Sequence, residues 1–425
     1  MKRTKLVALL GMVALLASCG EQPGTSTPTT DTGAGTTTST VIETTLKIGS
    51  PAAQSEFVKG QVEKFLKDNG YSKVTVSMVE LGEDKADSAI TDWTTGPDVY
   101  AFAGDKILSL NQQGALATVP NSKLRKMGTD LSSEAFSAAT LGTSTVAYPF
   151  AADNGYFMYY DSSVVSHTGT IEEVIADCVK AGRKVVYSLD TAWYSIGLLS
   201  SFGARYNVNL AADGSKISSI TADFDSANGV KAAKAMLQLV NNPAVDVVAD
   251  DNGTAPSAAN KVGATITGTW NGEAFATAVG ENLKAVKLPG ITVDGTIANL
   301  GSFAGYKLYG VNPKPSGKDT ARLDLAHSVA EYLISEAAQA ARFEAFKTAP
   351  TNKTVAAKKE VTSDIGLAAL AAQAPYSIPQ TAVPGNIWSA ADTLRTTMKE
   401  NPVMTDAQLE EAMKAFNTTV CKVDN

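Results

Sequence analysis

The stretch from Thr45 to Phe102 constrains the fold most. Residues 45–48 alternate as a half-buried strand does. Phe57, Val58, Val62, Phe65 and Leu66 then recur at helical spacing, and Asn69-Gly70 ends that helix. Residues 74–79 alternate again, and Gly96-Pro97-Asp98 turns into the apolar run Val99-Tyr100-Ala101-Phe102. A β-α-β order of this kind favours a parallel sheet covered by helices. The rest of the chain continues the theme. Strands are expected at 146–150, 156–160, 184–188 and 264–267, and helices at 170–181 and 227–240. A long helical stretch at 322–346 should break near Ser335, and a last helix runs over 405–419 with Asp406 near its start. Gly and Pro clusters separate these elements, and no internal repeat is present. The class is α/β, and residues 44–425 are enough for two lobes with sizeable cores.

The N-terminus reads differently. Lys2, Arg3 and Lys5 precede an apolar run from Leu6 to Ala17, which then meets Ser18-Cys19-Gly20. About a dozen apolar residues cannot span a hydrocarbon core, which needs about 20, but they suit a signal-peptide core. Residues 21–40 are almost entirely Thr, Ser, Gly and Pro, with no large apolar side chain. Such a segment cannot bury enough surface to offset its ordering entropy, so it is expected to be a flexible tether.

Net charge is −7 with no basic block, so nucleic acid is a poor partner. Cys178 and Cys421 remain after Cys19; an extracytoplasmic setting permits a disulfide between them, and their spacing leaves both the bonded and the free state open. Catalytic constellations are missing. The two histidines, His167 and His327, lie in a loop and on a helix, and no nucleophile elbow, zinc-binding helix or Walker loop occurs. The carboxylates of Asp250-Asp251 point apart as neighbours do, and the calcium-loop likeness of 250–253 lacks its later glutamate.

In open α/β sheets ligands bind beyond the carboxyl ends of the strands, and a cleft between two lobes is a natural small-molecule site. A sugar presents C–H faces that rings cover and hydroxyls that carboxylates, amides and cations meet. The aromatic candidates at strand ends and in loops are Phe102, Trp193, Tyr194, Trp270 and Trp388, with Asp105, Asp153 and Asn271 as polar partners. Gln54 and Glu56, after the first strand, could reach the same cleft or simply begin a helix. Asp105 equally fits a helix N-cap.

Leu16-Ala17-Ser18-Cys19 resembles the lipobox of bacterial lipoproteins, which implies cleavage before Cys19 and its acylation. Several later stretches, in order, resemble the solute-binding proteins of ABC importers (family 1), in particular the maltose/maltodextrin-binding branch. These are Thr95-Gly96-Pro97-Asp98 through Lys106, Gln113-Gly114-Ala115-Leu116, Tyr148-Pro149-Phe150 with Asp153, Gly263 through Trp270, Lys287-Leu288-Pro289-Gly290, and Gly310-Val311-Asn312. The resemblance implies a two-lobe periplasmic-binding-protein fold of type II, with hinge crossings near 151–154, 299–302 and 353–357. It divides the chain into a signal peptide 1–18, a tether 19–43, one lobe of 44–151 plus 302–355, and another of 152–301 plus 356–425. By the same match Trp270, Trp388 and Tyr194 fall on sugar-stacking rings, Phe102 on a stacking tryptophan, Asp105 on a sugar-binding aspartate and Asp153 on a cleft glutamate. Ala192, Lys106 and Ser389 depart from the branch, so individual subsites are expected to differ. The implied function is oligosaccharide binding and delivery to permease subunits by a lipid-anchored, extracytoplasmic monomer without cofactor or metal. Another oligosaccharide, another small solute, or a non-transport surface lipoprotein are the alternatives.

Overall fold

The computed structural model describes residues 42–249, 254–380 and 383–423. Cys19, the signal segment, most of the tether and the 250–253 turn lie outside them. The described part carries two five-stranded sheets built to one pattern. In the first, Val74–Glu80, Thr44–Ser50 and Val99–Ala103 run parallel, Lys307–Val311 runs against them, and Tyr148–Ala151 closes the edge antiparallel to that. In the second, Val245–Val247, Lys184–Tyr187 and Val262–Thr267 run parallel, Phe157–Asp161 is reversed, and Leu283–Val286 closes the edge. Each reversed strand is the one that has just arrived from the other sheet. This is the two-lobed α/β architecture expected of the chain.

Helices cover each sheet. In Ser55–Asp68, the buried residues Val58, Val62 and Leu66 fall four apart, so one stripe faces Ile48, Val99 and Val329. Asp98, fully buried, shows what the Gly-Pro-Asp turn is for. Its carboxylate takes both Nε (2.8 Å) and Nη2 (3.0 Å) of Arg322 and the Lys47 amide (2.8 Å). A forked ion pair thus fixes helix Thr320–Leu333 to the sheet. That helix stops where expected, and Ser335 caps the next, Glu336–Phe346, by accepting from the Ala338 amide. On the second sheet pack Ile171–Lys180 and Ala227–Val240, and Ile387–Glu400 and Asp406–Val420 lie against Ala227–Val240 in turn, the last started by a Thr405/Gln408 capping box.

The chain passes from the first sheet to the second after residue 151, returns before residue 307, and leaves again after helix Glu336–Phe346 for helix Ile365–Gln373, which lies on Leu283–Val286. The three passages run side by side: the Ala152 amide donates to Ala349 O (2.9 Å) and the Asn154 amide to Gly305 O (3.3 Å). Cys178, buried, and Cys421 are both free thiols. Among the described residues no helix is long and apolar enough to cross a membrane.

Candidate functional site

Two facts bring the candidates together: parallel strands of both sheets end towards the passages, and short helices begin there. Strand Val262–Thr267 runs into a turn of 3-10 helix, Thr269–Asn271, and presents Trp270 with 40 % of its surface open. Strand Lys184–Tyr187 leads to helix Ala192–Leu199, which begins with Trp193 and Tyr194. Trp388 stands in the first turn of Ile387–Glu400. The rings form one row. Trp270 and Trp193 have centroids 6.1 Å apart, Trp193 lies nearly parallel to Phe303 at 6.2 Å, and Phe303 meets Trp388 at 5.9 Å. Tyr156 and Tyr194 back Trp193 at 4.8 and 5.0 Å.

Polar groups flank this row. Lys307 Nζ sits 3.1 Å from Glu83 Oε2, 3.8 Å from Asp153 Oδ1 and 5.9 Å from the Trp270 ring centroid. Burial opposes the lysine's charge, but the two carboxylates outweigh it and hold the ammonium above the ordinary lysine value. Asp153 Oδ2 accepts from Thr269 Oγ1 (3.1 Å) and the Ala349 amide (3.3 Å). Its Oδ1 and the Oε1 of Glu83 are buried without a hydrogen-bond partner among the described residues. Two orphaned acceptors beside one cation are what a ligand's hydroxyl groups would satisfy. Farther along, the Gln380 side chain joins three segments. Its Nε2 donates to Asp105 Oδ1 (2.9 Å), while its Oε1 accepts from Asn154 Nδ2 (2.9 Å) and Trp193 Nε1 (3.0 Å). Burial raises the Asp105 carboxyl above the usual range, partly offset by Lys106 Nζ at 3.2 Å and by Gln380.

Trp193, Trp270 and Trp388 thus share one row with the buried Tyr194 behind Trp193, and Asp153 and Asp105 reach it through Lys307, Thr269 and Gln380. The others stand apart. Phe102 is a correction. It has no accessible surface, packs against Tyr100 at 5.8 Å within a strand buried along its whole length, and serves the core instead of a cleft wall. Asn271 is buried and donates to Thr267 Oγ1 (2.9 Å), so it staples the turn that presents Trp270. Gln54 accepts from Arg342, a buried guanidinium that also donates to the Tyr309 hydroxyl and lies over Phe150 at 4.6 Å. Glu56 is exposed in the first turn of its helix. Sequence reasoning missed Glu83, Phe303, Lys307 and Gln380. Glu83 was open to the rule that found Asp105, since it follows a parallel strand's carboxyl end. Phe303 and Lys307 arrive on the second passage and Gln380 follows the short strand Ser377–Pro379, where no periodic signal marks them.

Residues 60–369 match the family of bacterial extracellular solute-binding proteins. The chain belongs to that family. This solute-binding protein is 25 % identical over 435 residues to the galactooligosaccharide-binding protein of Bacillus subtilis (strain 168), covering 97 % of this chain and 96 % of that one. Among solved structures, a chain described with acarbose aligns with TM-score 0.76 at 25 % identity, over 89 % of this chain and 99 % of that one. The unliganded maltodextrin-binding protein MalE1 of L. casei BL23 aligns with TM-score 0.74 at 20 % identity, over 90 % and 100 %. The family and these relatives are substrate-binding proteins, and the described part of the chain has the fold of oligosaccharide binders.

Proposed function

We propose that this solute-binding protein is the extracytoplasmic, lipid-anchored receptor of an ABC sugar importer and binds a maltodextrin-type oligosaccharide between its lobes. The observation that carries the reading is the ring row Trp270–Trp193–Phe303–Trp388 lying beside the orphaned acceptors of Glu83 and Asp153. Successive pyranose faces would lie along Trp270, Trp193 and Trp388, with the fully buried Phe303 backing them, while hydroxyls bridge to the carboxylates and Lys307. The lobes, 44–151 with 302–355 and 152–301 with 356–425, would close on the sugar because it touches both only when they are shut, which is a population shift toward the closed form. The permease subunits would recognise that form, and an acylated Cys19 would hold the receptor at the membrane through the tether.

A second reading has its own support. The Bacillus subtilis relative is named for galacto-oligosaccharides, and a β-linked galactosyl chain differs from a maltodextrin in the configuration at C4 of each unit and in the linkage between units. Titration of residues 42–425 with maltotriose and with a β-galactotriose, followed by tryptophan fluorescence, separates the two. A saturable change with maltotriose supports the first, saturation with the galactosyl sugar alone supports the second, and no response to any oligosaccharide removes both. A Cys19→Ala full-length protein that still fractionates with membranes would remove the anchor.

A further inference from the structure

One element bridges the lobes without belonging to either sheet. Strands Tyr206–Leu210 and Ile217–Ala222 form an antiparallel hairpin that leaves the second lobe just after the Trp193 helix. Five paired positions give a reach of about 17 Å. Its root lies beside the polar groups that hold Trp193: the Tyr206 hydroxyl points at Pro379 O (3.5 Å), next to Gln380, and burial followed by the charge of Asp105 raises the Tyr206 phenol above its usual value.

The tip rests on the first lobe. Leu210 and Ile217 pack against the cluster that holds Leu108, Leu116 and Leu141, and Gln112 Nε2 donates to Ser215 O at 3.2 Å. Two glycine turns meet there backbone to backbone. Gly142 (φ +58°) belongs to the first lobe's turn between Thr140–Leu141 and Ser144–Thr145, and Gly214 (φ +71°) to the hairpin tip. A Cβ on Gly142 would stand 2.9 Å from the Ala212 carbonyl oxygen, and one on Gly214 would stand 2.5 Å from the Leu141 carbonyl carbon. Side chains at either position would hold the turns apart, so this contact needs glycine on both sides for space as well as for backbone angle.

We propose that the hairpin 206–222 is a strap across the cleft beside Asp105 that limits how far a bound sugar chain extends there. This rests on the oligosaccharide reading above. Asp105, Lys106 and Gln380 then meet the sugar unit at the strap, and chain extension past the strap is excluded.

The test replaces residues 211–216 by Asn-Gly, which shortens the strap while keeping a hairpin turn, and compares it with Gly142→Val, which leaves the hairpin intact but blocks its seat. Calorimetry is run with maltose, maltotriose and maltoheptaose, and with the matching β-galacto-oligosaccharides. In the unaltered protein the longest chain of the series that binds should be weaker than the trisaccharide, and both variants should narrow that gap by about tenfold. Equal changes for all lengths in both variants would overturn the proposal, because the strap would then act on closure alone. A length-independent affinity in the unaltered protein would overturn it too. If the unaltered protein binds no sugar of either series, the oligosaccharide reading falls and this inference falls with it. Should the shortened protein not fold, Gly142→Val alone decides.

Discussion

Removal of the Trp270 ring tests the site most directly. Trp270 keeps 40 % of its surface open, although it sits among buried neighbours. A tryptophan exposes roughly 200–250 Å² when free, so about 80–100 Å² remains for a ligand to cover. At about 25 cal/mol per Å² this gives about 2 kcal/mol, which is roughly a 30-fold weaker Kd for Trp270→Ala. The loss to folding should be far smaller, because the ring's nearest partners in the row are Trp193 at 6.1 Å and Lys307 at 5.9 Å and the exposed part contributes nothing. Calorimetry with the best sugar, beside a melting curve for each protein, reads both quantities. Trp270→Phe should recover part of the affinity, since a smaller ring still stacks. An alanine variant that melts as the parent does and binds as tightly would refute the assignment of this ring to the sugar.

Two further expectations concern buried polar groups. Gln380→Leu removes the amide that holds Trp193 and Asp105 together. It should blue-shift the Trp193 contribution to fluorescence and weaken sugar binding by about tenfold, whereas Gln380→Glu should restore the indole bond and much of the affinity near pH 5; identical spectra for parent and leucine variant would dismiss the role. His327 hydrogen-bonds Tyr148 (2.8 Å), and burial followed by the Lys123 charge lowers its pKa to about 4, with Asp324 opposing. A depressed folded value means that the unfolded chain takes the proton first. Stability present above about pH 6.5 should therefore drop by about 3 kcal/mol as pH falls to about 4, and the same slope in a His327→Gln protein would show that other groups cause it.

The sequence was most informative where local chemistry alone decides. Ser335 could be read as a helix interruption because a serine hydroxyl caps a helix start, and it does so. Trp270 could be placed at a strand's carboxyl end because strand Val262–Thr267 is short, apolar and followed by Gly268. Phe102 misled for a related reason. In a strand buried on both faces, alternation no longer separates core from cleft, so its last ring could face either way. Gln380, Phe303 and Lys307 were illegible because their partners Asp105, Trp388 and Asp153 are distant in sequence and meet them only after folding. The strap was partly legible. Tyr206, Val208 and Leu210 alternate before Gly214, which marks a hairpin, but nothing in that alternation says that its tip lands on the other lobe.

The exchange of reversed strands also has a consequence in time. Lys307–Val311 lies between Val99–Ala103 and Tyr148–Ala151 in the first sheet. A ribosome that has released only the N-terminal half has therefore made a sheet with a gap in its middle, whose neighbouring strand edges have nothing to pair with. The first sheet cannot lock before the strand at 307–311 emerges, although the five strands of the second, all within 157–286, are by then complete. For an exported receptor, as proposed above, a first lobe that locks late keeps the translocation channel passable.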